Sequence, residues 1–230
     1  MISRALSVSR VHTVAWPLLV AWPVGILAVA FAIPWAIFAI VQPDETNYTG
    51  SVTALLGVAL TFYIGAMTQT FPFALGMSVT RRDYFASTLV VGLAQVVGFG
   101  VMLWALAGIE TATHGWGVNM VMFGIPNIFT SNPLVQLGAW FAVLALIAGI
   151  GLFVGALYRR WRVTGLYSVG AGLLVLAGLA AIVITWQGGW PAFGSWFADE
   201  PRVVTMVALP AVLAAAFTFG AWRLIRRAPA

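Results

Sequence analysis

Six long stretches of this chain are apolar, and the charged residues collect between them. Each stretch has at least 20 residues and contains no charged side chain. Because a helix needs about 20 mainly apolar residues to cross the hydrocarbon core of a bilayer, each stretch predicts a transmembrane helix. The predicted spans cover residues 15–41, 51–76, 85–108, 134–158, 163–186 and 203–222.

The composition fits a lipid environment better than water. Of the 230 residues, 62% are apolar and 7% are charged, whereas a soluble domain is about 45–50% apolar and about 25% charged. This apolar share is too large to be hidden inside a core of this size. The expected fold is therefore an all-α integral membrane protein, a single transmembrane domain over residues 1–230.

The arginines indicate how the spans are oriented. Six spans place both termini on one side, where ten arginines and one acid also fall; the other side carries one arginine and five acids. Because basic connections stay in the cytoplasm, both termini are expected to be cytoplasmic. The Ala- and Arg-rich, Lys-free composition is typical of a GC-rich bacterium, so we expect a multi-pass protein of the bacterial inner membrane. The arginines lie beside membrane helices, and no nucleic acid is expected as a partner.

Missing residue types exclude several classes of membrane protein. Without Lys there is no Schiff base, and without an ionisable residue inside a predicted span no proton relay is expected. The histidines His12 and His114 face opposite sides and cannot form a dyad or share a metal, and Cys is absent. We therefore expect no enzyme activity, no metal site and no cofactor in this chain.

Two features of the spans and outer loops concern packing. Gly151 and Gly155 form a Gly-x-x-x-Gly pair, which lets helices approach closely. The outer loops at 109–133 and 187–202 are long and aromatic but carry few charges. Two interpretations of these loops stay open: they lie against or re-enter the membrane, or they cover the ends of helices.

The connection between the second and third spans has the most local signals. Pro72 predicts a break or kink near the end of the second span, and Gly76 predicts a left-handed helix stop. Thr80 and Asp83 have the spacing of a capping box at the start of the next helix. The segment is thus predicted to form a rigid cytoplasmic corner.

Two adjacent guanidiniums, those of Arg81 and Arg82, lie at the tip of this predicted corner. An arginine pair beside a helix end commonly anchors the topology. Arginine is also suited to bidentate pairing with the carboxylates of another protein. Both roles stay open for these two residues.

The sequence of residues 71–85, FPFALGMSVTRRDYF, resembles the corresponding junction in small six-helix permease subunits of bacterial ABC transporters of the type-2 exporter class. The resemblance implies a dimer of permeases, identical or paralogous, above two separate ATP-binding subunits that hold ATP and Mg. It also implies that the junction is the coupling element seated on the ATPase. The coupling residues so implied are Phe71, Pro72, Gly76, Met77, Ser78, Val79, Thr80, Arg81, Arg82, Asp83 and Tyr84.

The same resemblance extends to residues 187–202, which are similar to the re-entrant or lipid-surface segment that such permeases have before the last span. The N-terminus departs from the family pattern. Residues 1–13 form only a poor apolar stripe, which puts an N-terminal interfacial helix in doubt.

Polar residues in the spans are the candidates for a transport pathway. An i, i+7 pair places Thr61 and Thr68 on one stripe of the second span. These residues either line a pathway or form hydrogen bonds between helices of one subunit. An apolar, aromatic and uncharged interior fits an amphiphilic, lipid-like or drug-like cargo better than an ion. The candidates are Thr61, Tyr63, Thr68, Gln69 and Gln95.

The sequence therefore favours the permease subunit of an ATP-driven exporter whose ATP hydrolysis occurs in a partner subunit. One alternative is a non-transporting membrane scaffold or assembly protein that binds a partner through its arginines. Another is the substrate-binding membrane component of an importer. Nothing in the spans excludes the scaffold. The importer component would bind a small molecule without ATP and should have a pocket with more buried polar groups.

Overall fold

The computed structural model describes residues 17–228, and this part of the chain is almost entirely helical. Its helices are listed here with our labels: α1 (Trp22–Val41), α2 (Thr53–Gly65), α3 (Phe71–Gly76), α4 (Arg81–Ala112), α5 (Pro133–Trp186), α6 (Trp190–Asp199) and α7 (Leu209–Ile225). Wider π turns precede α1, α3 and α7, at Pro17–Ala21, Ala66–Thr70 and Val204–Ala208. Two short strands, β1 (Asn47–Tyr48) and β2 (Met120–Val121), pair in parallel.

Five helices are long and apolar enough to cross a membrane, so the chain is a multi-pass membrane protein by length and composition. Their bounds, with the adjoining turns included, are Leu19–Val41, Thr53–Gly76, Arg81–Ala112, Pro133–Trp186 and Val204–Ile225. The first predicted span begins at residue 15, and its start lies outside the described residues, as do the N-terminal arginines and the segment 1–13.

The fourth and fifth predicted spans are joined in the single element α5. A helix of 54 residues is about 81 Å long, whereas the hydrocarbon core of a bilayer is about 30 Å thick. The helical backbone is interrupted at Arg162, whose φ is 56° and ψ is −148°. The interruption leaves two parts, α5a (residues 133–161) and α5b (residues 163–186), of about 43 and 36 Å, and each is long enough to cross that core once.

Glycines allow α5a to occupy the centre of the bundle. A Cβ atom on Gly151 would lie 2.7 Å from Tyr63 Cβ, and one on Gly155 would lie 2.7 Å from Met67 Cβ. On another face of α5a, a Cβ on Gly149 would lie 2.8 Å from the carbonyl oxygen of Ala214. The close approach predicted from the Gly-x-x-x-Gly pair is confirmed, and its partner is the helix that begins with α2.

The two ends of the bundle differ in charge. At one end Tyr84, Leu157 and Ile225 share a buried cluster, next to the arginines at 81–82, 159–162 and 223–227. At the other end Leu55, Leu103 and Leu144 share a second cluster with side chains of the outer loop. All the arginines that the structure describes, except Arg202, therefore lie at or next to one end of the bundle.

The outer loop at 109–133 covers the ends of helices. Its residues Met122 and Phe123 are buried in the second cluster, against α1, α2, α4 and α5a. Strand β2 of this loop pairs with β1, and the Thr49 N–H donates to the carbonyl oxygen of Val121 at 2.9 Å. Of the two interpretations of this loop, the structure supports the covering role. We call residues 113–132 together with 42–52 the outer cap.

Helix α5b packs on the bundle at Leu166 and Val169 and separates from it beyond them. The four consecutive residues Leu173, Leu174, Val175 and Leu176 are each at least 60% exposed. Because successive helical residues point about 100° apart, four in a row cover the whole circumference. No described residue therefore packs around this part of α5b. Helix α6, formed from the second outer loop, likewise buries no side chain within the described chain and exposes Trp190, Phe193, Trp196 and Phe197.

Candidate coupling corner and membrane groove

The second span ends in an irregular helix. Across the π turn, the Phe71 N–H donates to the carbonyl oxygen of Ala66, five residues back. Pro72 follows immediately and has no N–H, and a proline ring crowds the carbonyl four residues before it. The wider turn makes room for that ring. Of the break or kink predicted at Pro72, the break does not occur: the helix continues from Thr53 to Gly76, with the π turn just before the proline.

The left-handed stop lies at Ser78, two residues after the position predicted from Gly76. Ser78 has a φ of 62°, and Gly76 ends α3 in helical conformation. The Val79 N–H donates to Ala74 O at 3.1 Å, and the Ser78 N–H donates to Leu75 O at 3.0 Å. This pair of bonds is the Schellman motif, in which the left-handed residue is the first one past the cap. The prediction for Gly76 is wrong because Ser accepts that conformation here.

The predicted N-cap of α4 is confirmed. The Thr80 side-chain oxygen accepts from the Asp83 N–H at 3.1 Å. The Thr80 hydroxyl donates to the Asp83 carboxylate at 2.8 Å. The carboxylate thus bonds to the capping side chain, where a full capping box would have it accept from the Thr80 backbone. Only residues 77–80 separate the two helices, so we call residues 71–84 the corner.

Arg81 is bound within the chain. Its Nη1 donates to the carbonyl oxygens of Ile225 at 3.0 Å and Ala228 at 2.6 Å. The last carbonyls of a helix have no partner inside the helix, so this guanidinium caps the C-terminal end of α7 and opposes the negative end of its dipole. The neighbouring Arg82 is exposed. The structure therefore gives the two arginines of the tip different surroundings.

The corner residues divide into buried and exposed ones. Phe71 and Tyr84 are completely buried, with ring centroids 5.3 Å apart, and the Tyr84 hydroxyl donates to Ala66 O at 2.6 Å. They hold the corner from inside. Met77 is 58% exposed and Phe73 is 64% exposed. Phe73 is absent from the coupling residues implied by the resemblance, although its position four residues before Met77 places it on the same helix face.

An open groove of about 690 Å³ runs along the second span beside α1. Trp22 and Ile26 line it from α1, and Gly57 and Gly65 leave space on the other wall. Of the predicted pathway residues, the structure brings Thr61 and Gln69 into this groove. The Gln69 amide makes no hydrogen bond within the part of the chain that the structure describes.

The π turn explains why these two residues share the groove. In a regular α-helix, residues seven apart are nearly aligned, and residues eight apart differ by about 80°. A π turn inserts one additional residue into the helix, so Gln69 takes the place that the i, i+7 spacing assigned to Thr68. Thr68 instead donates its hydroxyl to the carbonyl oxygen of Ile64 at 2.9 Å.

Tyr63 and Gln95 connect helices within the subunit. The Tyr63 hydroxyl donates to Gln95 Oε1 at 2.6 Å, and Gln95 Nε2 donates to the carbonyl oxygen of Leu19 at 3.0 Å. The bonds join α4 to the second span and to the start of the first. The sequence left open whether these residues line a pathway or form hydrogen bonds between helices. Tyr63 and Gln95 form hydrogen bonds between helices.

Glu110 is a residue that the sequence placed simply on the outer side. It is 2% exposed. Its Oε2 accepts from the N–H groups of Met122 and Phe123 at 2.8 and 3.0 Å and from Trp116 Nε1 at 3.2 Å, and its Oε1 accepts from the Gly124 N–H at 2.7 Å. This carboxylate fastens the outer cap to α4. A signal was present, because an acid near a helix C-terminus opposes the dipole and needs compensating donors.

Comparison of the chain with models of known protein families, with curated proteins and with solved structures finds no match.

Proposed function

We propose that this chain is the permease subunit of an ATP-driven ABC transporter that exports an amphiphilic compound across the bacterial inner membrane. In this proposal the six helical segments, α5a and α5b counted separately, cross the membrane with both termini in the cytoplasm. ATP and Mg are held by a separate ATP-binding subunit, and the corner transmits its movement.

The corner is the observation that carries the proposal. A Schellman motif ends one long helix, and a side-chain cap begins the next four residues later. Buried aromatic rings fix the corner to the bundle, and Arg81 ties it to the end of α7. Because the corner has little conformational freedom, a displacement of the corner moves both helices. Met77 and Phe73 offer apolar side chains to a soluble partner at this basic end.

The isolated position of α5b supports a second permease copy or a paralogue. Its residues 173–176 are each at least 60% exposed in the described chain. An apolar helix of this kind can be surrounded by lipid, or it can pack against another subunit. In the proposed dimer, α5b and the aromatic helix α6 contribute to the face between the two permeases.

The groove along the second span supports an amphiphilic cargo. Its walls are mostly apolar, and its polar side chains are Thr61, Gln69 and Thr70. No charged side chain lines this groove in the described part of the chain. A molecule with an apolar body and a hydrogen-bonding group matches that lining better than a hydrated ion does.

Purification from native membranes tests the partner. The chain is tagged at its C-terminus, extracted in mild detergent, and the proteins that elute with it are identified by mass spectrometry. We expect a stoichiometric soluble protein with a Walker A motif. A matched pair of variants locates its contact: Phe73→Ser at the corner should reduce the co-eluting ATPase, and Phe129→Ser, at a similarly exposed position of the outer cap, should not.

A preparation without any ATPase, under conditions that retain other ABC complexes from the same membranes, would contradict the proposal. It would favour the scaffold or the importer component. Equal loss of the ATPase in both variants would contradict the corner as the contact.

A further inference from the structure

A second groove lies between α4, α5a and α7, and it opens to the lipid. Its volume is about 660 Å³. Five alanines line it and leave space because each side chain is a single methyl group: Ala86, Ala145, Ala211, Ala214 and Ala215. The remaining lining is largely apolar and aromatic. The groove is a property of this chain alone, so its occupant can be examined without any ATPase.

One end of this groove is basic. Arg82 lines it directly, beside the ring pair of Phe85 and Trp222, whose centroids are 5.2 Å apart. The guanidinium of Arg226 lies 5.6 Å from the Trp222 ring. That of Arg223 lies 5.9 Å from the ring of Phe219, which also lines the groove. One guanidinium thus lines an otherwise largely apolar groove, and two more lie within 6 Å of aromatic rings that line it.

The length of the groove matches one leaflet of a bilayer. From Ala211 to Trp222 the helix rises about 16 Å at 1.5 Å per residue. Half of the hydrocarbon core is about 15 Å. A chain that enters at the arginines therefore reaches the middle of the membrane where the groove ends.

We propose that this groove binds an anionic phospholipid of the leaflet next to the arginines. The phosphate lies at Arg82, Arg223 and Arg226, and one acyl chain lies along the alanines. Basic pockets between membrane helices bind anionic headgroups in this manner. A second copy of the chain in the same orientation fits less well, because its own arginines lie at the same depth and would repel those at the mouth.

Native mass spectrometry of the detergent-solubilised protein tests the lipid. The probes are phosphatidylglycerol and phosphatidylcholine with identical acyl chains. Two variants address the two parts of the site: Arg82→Gln removes a charge at the mouth, and Ala215→Phe fills the groove. Arg160→Gln is the matched control, because its guanidinium lies 4.5 Å from the Trp161 ring, away from this groove, and the variant loses the same charge.

We expect the wild-type protein to retain phosphatidylglycerol in preference to phosphatidylcholine. Arg82→Gln should weaken retention of phosphatidylglycerol about fivefold, Ala215→Phe should reduce retention of both lipids, and Arg160→Gln should behave as wild type. Glycerol phosphate should not displace the bound lipid, because it lacks the acyl chains.

Three results would overturn the inference. Equal retention of the two lipids would show that charge does not select the lipid. If Arg160→Gln weakens phosphatidylglycerol retention as much as Arg82→Gln does, the effect does not come from this groove. If Ala215→Phe leaves lipid retention unchanged and converts a dimer into a monomer, the groove holds a second copy of the chain. Folding of each variant is checked by its elution volume and thermal unfolding.

Discussion

Among single residues, Glu110 shows how the outer cap is held. A carboxylate near the C-terminal end of a 32-residue helix opposes the helix dipole. Four N–H donors compensate for this, and three of them belong to consecutive backbone groups at residues 122–124. The bonds require Gly124 close to the carboxylate, since a Cβ there would lie 2.7 Å from Glu110 Oε1. The cap is therefore fixed to α4 by one charged side chain.

Replacing Glu110 by Gln should loosen the cap. The new amide NH₂ faces backbone N–H donors, so at least one buried donor loses its acceptor, at a cost of about 2–3 kcal/mol in the free energy of unfolding. Thermal unfolding in detergent, together with proteolysis of residues 113–132, measures the effect. Glu45→Gln at an exposed position is the control, and equal unfolding temperatures of the two variants would contradict the role given to Glu110.

The left-handed stop gives a paired test of the corner. Ser78→Gly should stabilise the protein by about 1 kcal/mol, because glycine adopts a positive φ without a Cβ penalty. Gly76→Ala should cost nothing, since Gly76 is helical and a Cβ there meets no atom within 4 Å. Equilibrium unfolding of both variants separates the two positions. If Gly76→Ala is the costly substitution, the stop lies at Gly76 after all.

At the scale of helices, close contacts depend on α5a. Its glycines let two neighbours approach on different faces. A membrane helix that is apolar all round gives no periodic signal of which face packs. Small residues are then the main guide to a helix interface.

Overpacking tests that interface. Gly155→Ala should destabilise the protein by about 1–3 kcal/mol, because the added methyl group meets the backbone of the second span, 2.9 Å from the carbonyl oxygen of Ile64. Gly178→Ala in α5b should be neutral or slightly stabilising, because a Cβ there has no atom within 4 Å. Thermal unfolding in one detergent compares the pair. Similar shifts for both variants would contradict the packing of α5a.

The helices could be predicted where residue type alone determines them. Features that depend on local backbone geometry could not be predicted. Charge-free apolar runs and the Thr80 cap are local signals, and they locate the long helices and the start of α4. The π turn before Pro72 could not be predicted, and it moved Gln69 into the place expected for Thr68. The cap around Glu110 depends on left-handed backbone at His114 and Trp116, which favours glycine, so the sequence argued against it.

For the whole molecule, the separation of charge between the two ends is the organising feature. Arginines gather where the corner, the α5 interruption and the end of α7 meet, and Glu110 and the outer cap close the opposite end. The basic end, with its exposed corner, is suited to a soluble partner. The apolar sides of the helices are suited to lipid. The permease proposal uses both surfaces. The ATP-binding subunit displaces the corner, and an amphiphile moves along the helices that the corner connects.

Site-directed cross-linking at the corner tests this central claim most directly. The natural chain has no Cys, so Met77→Cys introduces a single reactive thiol at an exposed corner position. Labelled with a thiol-specific photo-crosslinker in native membranes, it should form a covalent product with a Walker A protein. The control is Ser195→Cys, at an exposed position of α6 in the second outer loop. It lies on the opposite side of the membrane in the proposed topology and should not form that product. Equal cross-linking at both positions, or none at Met77→Cys while the ATPase co-purifies, would contradict the corner as the coupling element.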